Sequence, residues 1–268
     1  MRHARLTQFE LNRRTYGDGQ VVRCYADQDN PRLFPAEAAI LTKLDRQIRG
    51  GSILDVGVGG GRTTPHLVSL ARRYVGVDYS QPLVAKCHNK YPGIAFAECD
   101  ARTLDAMGNE TFDAVLFSFN GIDHVNHHDR QLVLSQVYRK LNPGGLFWFS
   151  SHNLRMPTRK PWAISHYRWR QRPAGILQNL SDIVRDTRNY WQRATSQAAG
   201  EGYAILIDEA HEFRLVLYYV DPTTQVHQLR AHGFRNVTIF DFEGVERAAE
   251  SPEIDRSVHV HYVAIKPH

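Results

Sequence analysis

Residues 53–62 read Ile-Leu-Asp-Val-Gly-Val-Gly-Gly-Gly-Arg, an apolar run closed by an acid and by glycines at 57, 59 and 61. Glycines between a strand and a helix let the backbone approach a ligand closely, and the unpaired N–H groups of the helix start attract its negative group. That chemistry is the binding of a small charged cofactor. The Gly-x-Gly-x-x-Gly spacing of dinucleotide binders is not completed here, because its third position falls on Arg62 when counted from Gly57 and on Thr64 when counted from Gly59. A second apolar run, Tyr74 to Asp78, also ends in an acid, and a carboxylate there can accept two hydrogen bonds from a ribose diol. A third, Ile94 to Arg102, carries Asp100-Ala101. Two histidines follow later apolar runs: His124 in the segment 119–129 and His152 in Ser150-Ser151-His152-Asn153. Histidine is the natural base near neutral pH, so His124 is the first candidate for a proton acceptor and His152 the second. The spacing of His124, His127 and His128 also permits a metal site, but no consistent carboxylate partner accompanies it and no metal is expected.

The order Asp55-x-Gly57-x-Gly59-x-Gly61, Asp78, Asp100-Ala101, a fourth apolar strand at 111–119 and a turn and strand at 141–150 resembles the Rossmann-like (class I) S-adenosylmethionine-dependent methyltransferases of the small-molecule type. The resemblance is continuous over residues 50–152, with weaker support at 213–266. It implies S-adenosylmethionine as cofactor, held by Asp55, Gly57, Gly59, Gly61, Asp78, Tyr79, Asp100, Ala101, Ser118 and Phe119, with Asp100 and Ala101 at the adenine. It also implies that the segment before the first strand closes over the cofactor, which nominates Tyr25. Read singly, these features have plainer explanations: glycines make turns, Asp55 and Asp78 cap helices, and Asp100 is a surface acid. Asp55, at the end of a buried strand, must be hydrogen-bonded, so either a binding or a turn-bracing role is expected.

Hydrophobic periodicity supplies the elements that would position these groups. Helices are expected at 35–48, with Pro35 in the first turn, at 63–72, at 131–141 and at 222–232, and strands at 52–56, 74–78, 237–240 and 258–265. The predicted fold is α/β: a doubly wound, mainly parallel seven-stranded sheet with a C-terminal antiparallel strand pair and a largely helical cap insertion. The expected organisation is an N-terminal helical lead or lid at 1–50, a cofactor-binding core at 51–152, the cap at 153–212, and C-terminal strands completing the sheet at 213–268. Within the cap, helices are expected at 162–166 and 176–197, broken by Pro173-Ala-Gly175 and ended by Gly200 and Gly202.

A chain of 268 residues with 42% hydrophobic composition fits one composite domain. The three cysteines, Cys24, Cys87 and Cys99, lack Cys-x-x-Cys spacing and are expected to be reduced. No window approaches a membrane span and the N-terminus lacks the apolar core of a signal peptide, so a cytoplasmic location is expected. The net charge of +5 is carried mainly by arginine. Arg155, Arg159, Lys160, Arg168, Arg170 and Arg172 form an acid-free run interleaved with Trp162, Tyr167 and Trp169.

Methyl transfer is an in-line displacement, so the enzyme mainly aligns the acceptor and, for a hydroxyl, removes its proton. The expected acceptor is a small anionic molecule methylated on oxygen, such as a sugar, a glycoconjugate or an acidic metabolite, contacted by Asn120, Asp123, Asn153, Arg155, His166, Tyr167 and Arg168. The alternative is an RNA methyltransferase whose arginines track phosphates while Trp162, Tyr167 or Trp169 stacks on a base. Against it stand the lack of an RNA-binding module and of an Asn-Pro-Pro-Tyr-type motif where this chain has Ser118-Phe-Asn-Gly121. The oligomeric state is left open.

Overall fold

The computed structural model describes residues 6–26, 32–156, 159–163 and 173–268. Its frame is a sheet in the order β3-β2-β1-β4-β5-β11-β9-β10. The strands are β1 (Ser52–Val56), β2 (Arg73–Asp78), β3 (Ala95–Glu98), β4 (Phe112–Phe117), β5 (Leu141–Asn153), β9 (Arg235–Phe240), β10 (Glu246–Arg247) and β11 (His259–Ile265). The β3-β2-β1-β4-β5 stretch is parallel, and β11 and β9 are antiparallel. This is the expected mixed α/β architecture with its C-terminal antiparallel pair, but not the expected strand count: the path holds eight strands rather than seven, because the two-residue β10 is added at the edge.

Side-chain parity explains why both faces are covered. Along β4 and β5, Val115, Phe117, Phe147 and Phe149 enter one core with Val133, Leu134 and Val137 of α6 (His127–Lys140). Ala114, Leu116, Leu146 and Trp148 enter the other core, with Ile40, Leu44 and Ile48 of α3 (Pro35–Ile48). Alternate residues of a strand face opposite sides, so near-continuous apolar runs are what a sheet sandwiched between helices requires. The helix at 35–48 lies where periodicity places it, with Pro35 at its start and Glu37 accepting from the Phe34 N–H. The helix after the glycine turn, α4 (Thr64–Val68), is shorter than the predicted 63–72. Before α3, residues 6–26 form α1 (Gln8–Tyr16) and α2 (Gly19–Ala26), separated by a turn at Gly17-Asp18.

The cap departs from its helical prediction. α7 runs over Pro173–Arg193, so Pro173 opens a helix instead of breaking one, as its fixed φ and missing donor allow. Trp162 lies in a turn and Ala163 is not helical, while residues 164–166 of the predicted helix fall outside the described residues. Beyond α7, β6 (Ala198–Gly200) and β7 (Tyr203–Asp208) form a hairpin across Glu201-Gly202, with Gly202 at φ 70°. β7 pairs antiparallel with β8 (Leu215–Val220), whose end runs parallel to the end of β5 through His152 opposite Tyr219. Tyr203-Ala-Ile-Leu-Ile favours a strand, and the tight Gly202 turn sets its pairing. The cap is thereby stitched to the carboxyl edge of the central strand. Among the described residues no helix is long and apolar enough to cross a membrane.

Candidate active site

β1 delivers the chain into the glycine turn, where Gly57, Gly59 and Gly61 have φ values of 67°, 55° and 78°. A Cβ on Gly57 would stand 2.6 Å from the Phe117 ring and one on Gly61 2.5 Å from Tyr91, so conformation and space both demand glycine. Asp55 sits behind the turn, fully buried, with Oδ2 accepting from Thr63 Oγ1 at 2.6 Å and Tyr74 Oη at 2.9 Å. It is absent from the cleft wall, so its geometry is that of a brace. Burial raises its pKa to about 6 against those two donors.

Asp78, at the end of β2, accepts from Gly59 N at 2.9 Å and Ser80 N at 2.8 Å and does line the cleft. Burial lifts its pKa to about 6 despite both N–H groups. Around it opens a cleft with about 1120 Å³ of empty space, part of it open to solvent. Tyr25, Gly57, Gly59, Tyr79, Asp100, Ala101, Ser118, Phe119 and His124 share its wall. Asp100 is clamped by Arg102, whose Nη2 lies 2.6 Å from Oδ2, and Arg102 also bonds Asp129 and lies over the Phe9 ring. Arg62 forks onto the buried Glu37 at 2.5 and 2.8 Å and stacks on Phe34 and Phe119. The residue that spoils the dinucleotide spacing thus ties the turn to α3.

Two histidine arrangements occupy the carboxyl edge of the sheet. His124 faces the cleft, and its Nε2 lies 3.4 Å from Tyr16 Oη; Tyr16 Oη is 3.3 Å from Tyr25 Oη, and Tyr25 Oη is 3.2 Å from His211 Nε2. His211 begins three successive residues at positive φ, 49°, 63° and 59°. Such non-glycine strain persists only where surroundings impose it, and Asn189, donating to the Glu212 carbonyl, and Arg214, donating to that of His211, are the clamps. Burial lowers the His124 pKa to about 4, with Asp123 opposing.

His152 is organised differently. Asp123 Oδ2 accepts from its Nδ1 at 2.7 Å and from its backbone N at 2.8 Å, while its Nε2 lies 3.4 Å from Asn120 Nδ2. The carboxylate therefore fixes the Nδ1–H tautomer and leaves the Nε2 lone pair for a donor. Asp123 Oδ1 accepts from Arg130 at 2.6 Å and Ser151 at 2.7 Å. Burial alone would raise the Asp123 pKa, but Arg130 and His152 outweigh it and hold the group below the usual carboxylate range.

Several expected acceptor contacts are placed elsewhere. Asp123 is fully buried behind His152, facing no open space. Asn153 spends its amide on the Ile254 and Ser257 carbonyls. Arg155 pairs with Asp221 at 2.7 Å and Asp255 at 3.0 Å and fastens the C-terminal segment to β5. His166, Tyr167 and Arg168 lie outside the described residues. Tyr16, His211, Arg130 and His259 were not singled out in the sequence, because none belongs to a local pattern.

Residues 53–145 match the methyltransferase domain family model. This is a class I S-adenosylmethionine-dependent methyltransferase domain. A probable S-adenosylmethionine-dependent methyltransferase of Mycolicibacterium smegmatis is 28% identical over 120 residues, covering 45% of this chain and 45% of that protein. A ubiquinone biosynthesis O-methyltransferase of Paramagnetospirillum magneticum is 31% identical over 136 residues, covering 50% and 52%. The chain thus spans about half the length of the curated relatives it matches. The fold extends further: the CcbJ methyltransferase of Streptomyces caelestis superposes with a TM-score of 0.60 at 18% identity, covering 95% of this chain and 98% of that one. The 1,6-didemethyltoxoflavin-N1-methyltransferase of Burkholderia thailandensis gives 0.57 at 18%, covering 100% and 94%.

The cradle of this methyltransferase domain fits an adenosyl cofactor: left-handed glycines leave the turn bare, and each Asp78 oxygen holds one backbone donor and keeps a lone pair for a ribose hydroxyl. A carboxylate accepts more strongly when ionised, so cofactor affinity should fall as pH drops below about 6. Asp78→Asn should weaken S-adenosylhomocysteine binding by roughly ten- to a hundredfold, the worth of a charge-assisted hydrogen bond, and flatten that pH dependence. Calorimetric titration between pH 5 and 8 checks both; unchanged affinity in the variant would remove Asp78 from the ribose.

Proposed function

We propose that this protein is an S-adenosylmethionine-dependent O-methyltransferase of a small-molecule hydroxyl, with His152 as the proton acceptor and Asp123 as the residue that orients it. The observation that carries this reading is the Asp123–His152 pair, held at 2.7 Å at the end of β5 beside the Ser118–Asn120 turn that leaves the cofactor cleft. In an open α/β sheet ligands sit beyond the carboxyl ends of the strands, and β5 ends there. Gly57, Gly59 and Asp78 would hold the cofactor, with Asp55 and Gly61, which lie off the cleft wall, shaping the turn, Ala101 and Asp100 at the adenine, and Tyr25, Tyr79, Ser118 and Phe119 closing the wall. When bound, S-adenosylmethionine supplies the methyl group. The chain's own contribution is to exclude water under α1 and α2, to align the acceptor, and to take its proton on His152 Nε2.

His124 is the weaker base in this reading, because burial keeps it neutral down to about pH 4 and, among the described residues, no carboxylate bonds its ring as Asp123 bonds His152. Residues 1–50 as a lid, 153–212 as a cap over the acceptor, and a cytoplasmic location belong to the same proposal. The acceptor's negative charge is less well supported, since Arg155 is spent on Asp221 and Asp255 and an anion would depend on Arg168 and its neighbours. The RNA reading loses ground on the same account, because Lys160 bonds Tyr190 Oη at 3.0 Å and Arg159 faces Glu209 at 3.9 Å.

S-adenosylhomocysteine at a hundred times its Kd should stabilise the protein by about 2.7 kcal/mol, and NAD should not. Labelled methyl from S-adenosylmethionine should reach a small hydroxyl acceptor at a rate insensitive to moderate salt, whereas transfer to RNA would fall steeply between low and moderate salt. Stabilisation by NAD alone would sink the assignment.

A further inference from the structure

We propose that Arg130 is a positioning residue of the transfer: it is the counter-charge that keeps Asp123 ionised beside a neutral His152, and so leaves His152 Nε2 free to accept a proton. This rests on the reading of His152 as the base and adds the group that stands behind it.

Strand parity places the cation and the base on opposite sides of β5. Phe147 and Phe149 enter the core beneath α6, and Ser151, next in that alternation, meets Arg130 of the same helix, whereas His152 follows Trp148 onto the other face. Asp123, in the short helical turn Gly121–His124, reaches both. Its Oδ1 accepts from Arg130 Nη1 at 2.6 Å and Ser151 Oγ at 2.7 Å, and its Oδ2 accepts from His152 Nδ1 at 2.7 Å and the His152 backbone N at 2.8 Å. Four donors fill the lone-pair sites of the carboxylate, so its plane is fixed and it holds no proton. Arg130 is itself fully buried: Nη1 also donates to the Ile122 carbonyl at 3.1 Å, and Nη2 donates to Ser151 Oγ at 3.1 Å and to Gln225 Oε1 of the helix Pro222–Ala231 at 2.7 Å. Its Nε meets no acceptor among the described residues. A buried ion pair adds little net stability, because desolvation offsets the attraction, and a bare Nε detracts further. The buried charge is therefore better explained by what it does to the acid.

Charge balance gives Arg130 its role. With the guanidinium present, an ionised Asp123 and a neutral His152 leave the buried cluster without net charge. Burial alone raises the Asp123 pKa, and the Arg130 cation is the largest influence opposing it. The other titratable groups around the pair supply no cation among the described residues. Burial keeps His124 and His259 neutral down to about pH 4 and raises Tyr218, Tyr219 and Tyr262 so that they hold their protons, while Asp208, which accepts from the Tyr219 hydroxyl, is a second acid. Without Arg130 the Asp123–His152 pair would carry a buried net negative charge, and uptake of one proton removes it. That proton has two places to go. On the ring it makes an imidazolium with an Nε2–H; on the carboxyl it makes Asp123 the donor to Nδ1, and the ring's own proton moves to Nε2. Either way Nε2 is occupied and cannot take the acceptor's proton.

Nitrogen-15 NMR of the histidine rings at pH 8, in the full chain loaded with S-adenosylhomocysteine, tests the assignment. In wild type the His152 ring, identified by its loss in His152→Gln, should show a protonated Nδ1 and an unprotonated Nε2. Arg130→Met should abolish the unprotonated Nε2 signal, and Arg130→Lys, which keeps the charge, should restore it. Calorimetric binding of S-adenosylhomocysteine reports whether each variant is folded. If Arg130→Met alone is not, Arg130→Met with Gln225→Leu takes its place, because removing the bared acceptor together with the cation is the milder change. An Arg130 that only holds the fold together would lower stability without moving a proton on His152. A proton on Nε2 in wild type, an unchanged ring in a folded variant without the cation, or a protonated Nε2 in folded Arg130→Lys would each overturn the counter-charge role. None of these outcomes depends on the acceptor: if His152→Gln retains methyl transfer, the base reading fails while the protonation pattern stands.

Discussion

Replacing Asp123 by Ala should lower stability by about 3–5 kcal/mol, the range found when one partner of a buried ion pair is removed. Asp123 and Arg130 are both fully buried and 2.6 Å apart, and the Arg130 guanidinium also donates to Ser151 and Gln225 and lies 4.5 Å from the Tyr218 ring centre. Without the carboxylate the cation cannot reach water, and the Ser151 hydroxyl and His152 N–H groups lose their acceptor together. The linkage sign follows from the depressed Asp123 pKa. Its stabilisation is present above the ordinary aspartate range and is lost as pH falls through the lower folded-state value. Urea unfolding of wild type and variant at pH 7 measures the difference, and a loss under about 1 kcal/mol, the level of an exposed pair, would mean that this pair is not the buried anchor described.

His152→Gln should leave the fold and S-adenosylhomocysteine affinity unchanged and lower the single-turnover rate of methyl transfer by about 10²- to 10⁴-fold, the usual contribution of a positioned base. Glutamine can keep a donor near Asp123 but offers no proton acceptor in place of Nε2. The discriminating comparison is with His124→Gln: if Tyr16 and Tyr25 serve to close the cleft, that variant loses cofactor affinity more than rate. Should His152→Gln retain turnover while His124→Gln loses it, the base would move to His124. Asp123→Asn separates positioning from stability, because a rate loss that a higher-pH medium partly restores indicates a misoriented imidazole rather than an unfolded site.

Much of the cofactor half was legible because its signals are local. A glycine turn needs residues at fixed offsets, β1 and β2 are short apolar runs ending in acids, and Pro35 to Ile48 shows unbroken helical spacing. The hairpin of β6 and β7 was missed because Gly200 and Gly202 were read as the end of a helix, when Gly202 in fact closes a two-residue turn. Arg155 was expected to face an acceptor because its run contains no acid, but its partners Asp221 and Asp255 lie 66 and 100 residues away. Charge density along a chain does not report what is folded against it.

By itself the sequence determined the α/β class, the glycine cradle with Asp78, and the adenosyl cofactor those stations imply, since strand–turn–helix units are encoded within about thirty residues. Only the tertiary structure decided which acids line the cleft and which are buried behind it, turning Asp55 and Asp123 inward and leaving Asp78 on the cleft. It alone joined His152 to Asp123 across 29 residues, His124 to Tyr16 across 108, and Tyr25 to His211 across 186. The physical reason is that a side chain's protonation and orientation depend on burial and on its hydrogen-bond partners, and at this sheet edge those partners come from β5, β8, β11 and the N-terminal helices.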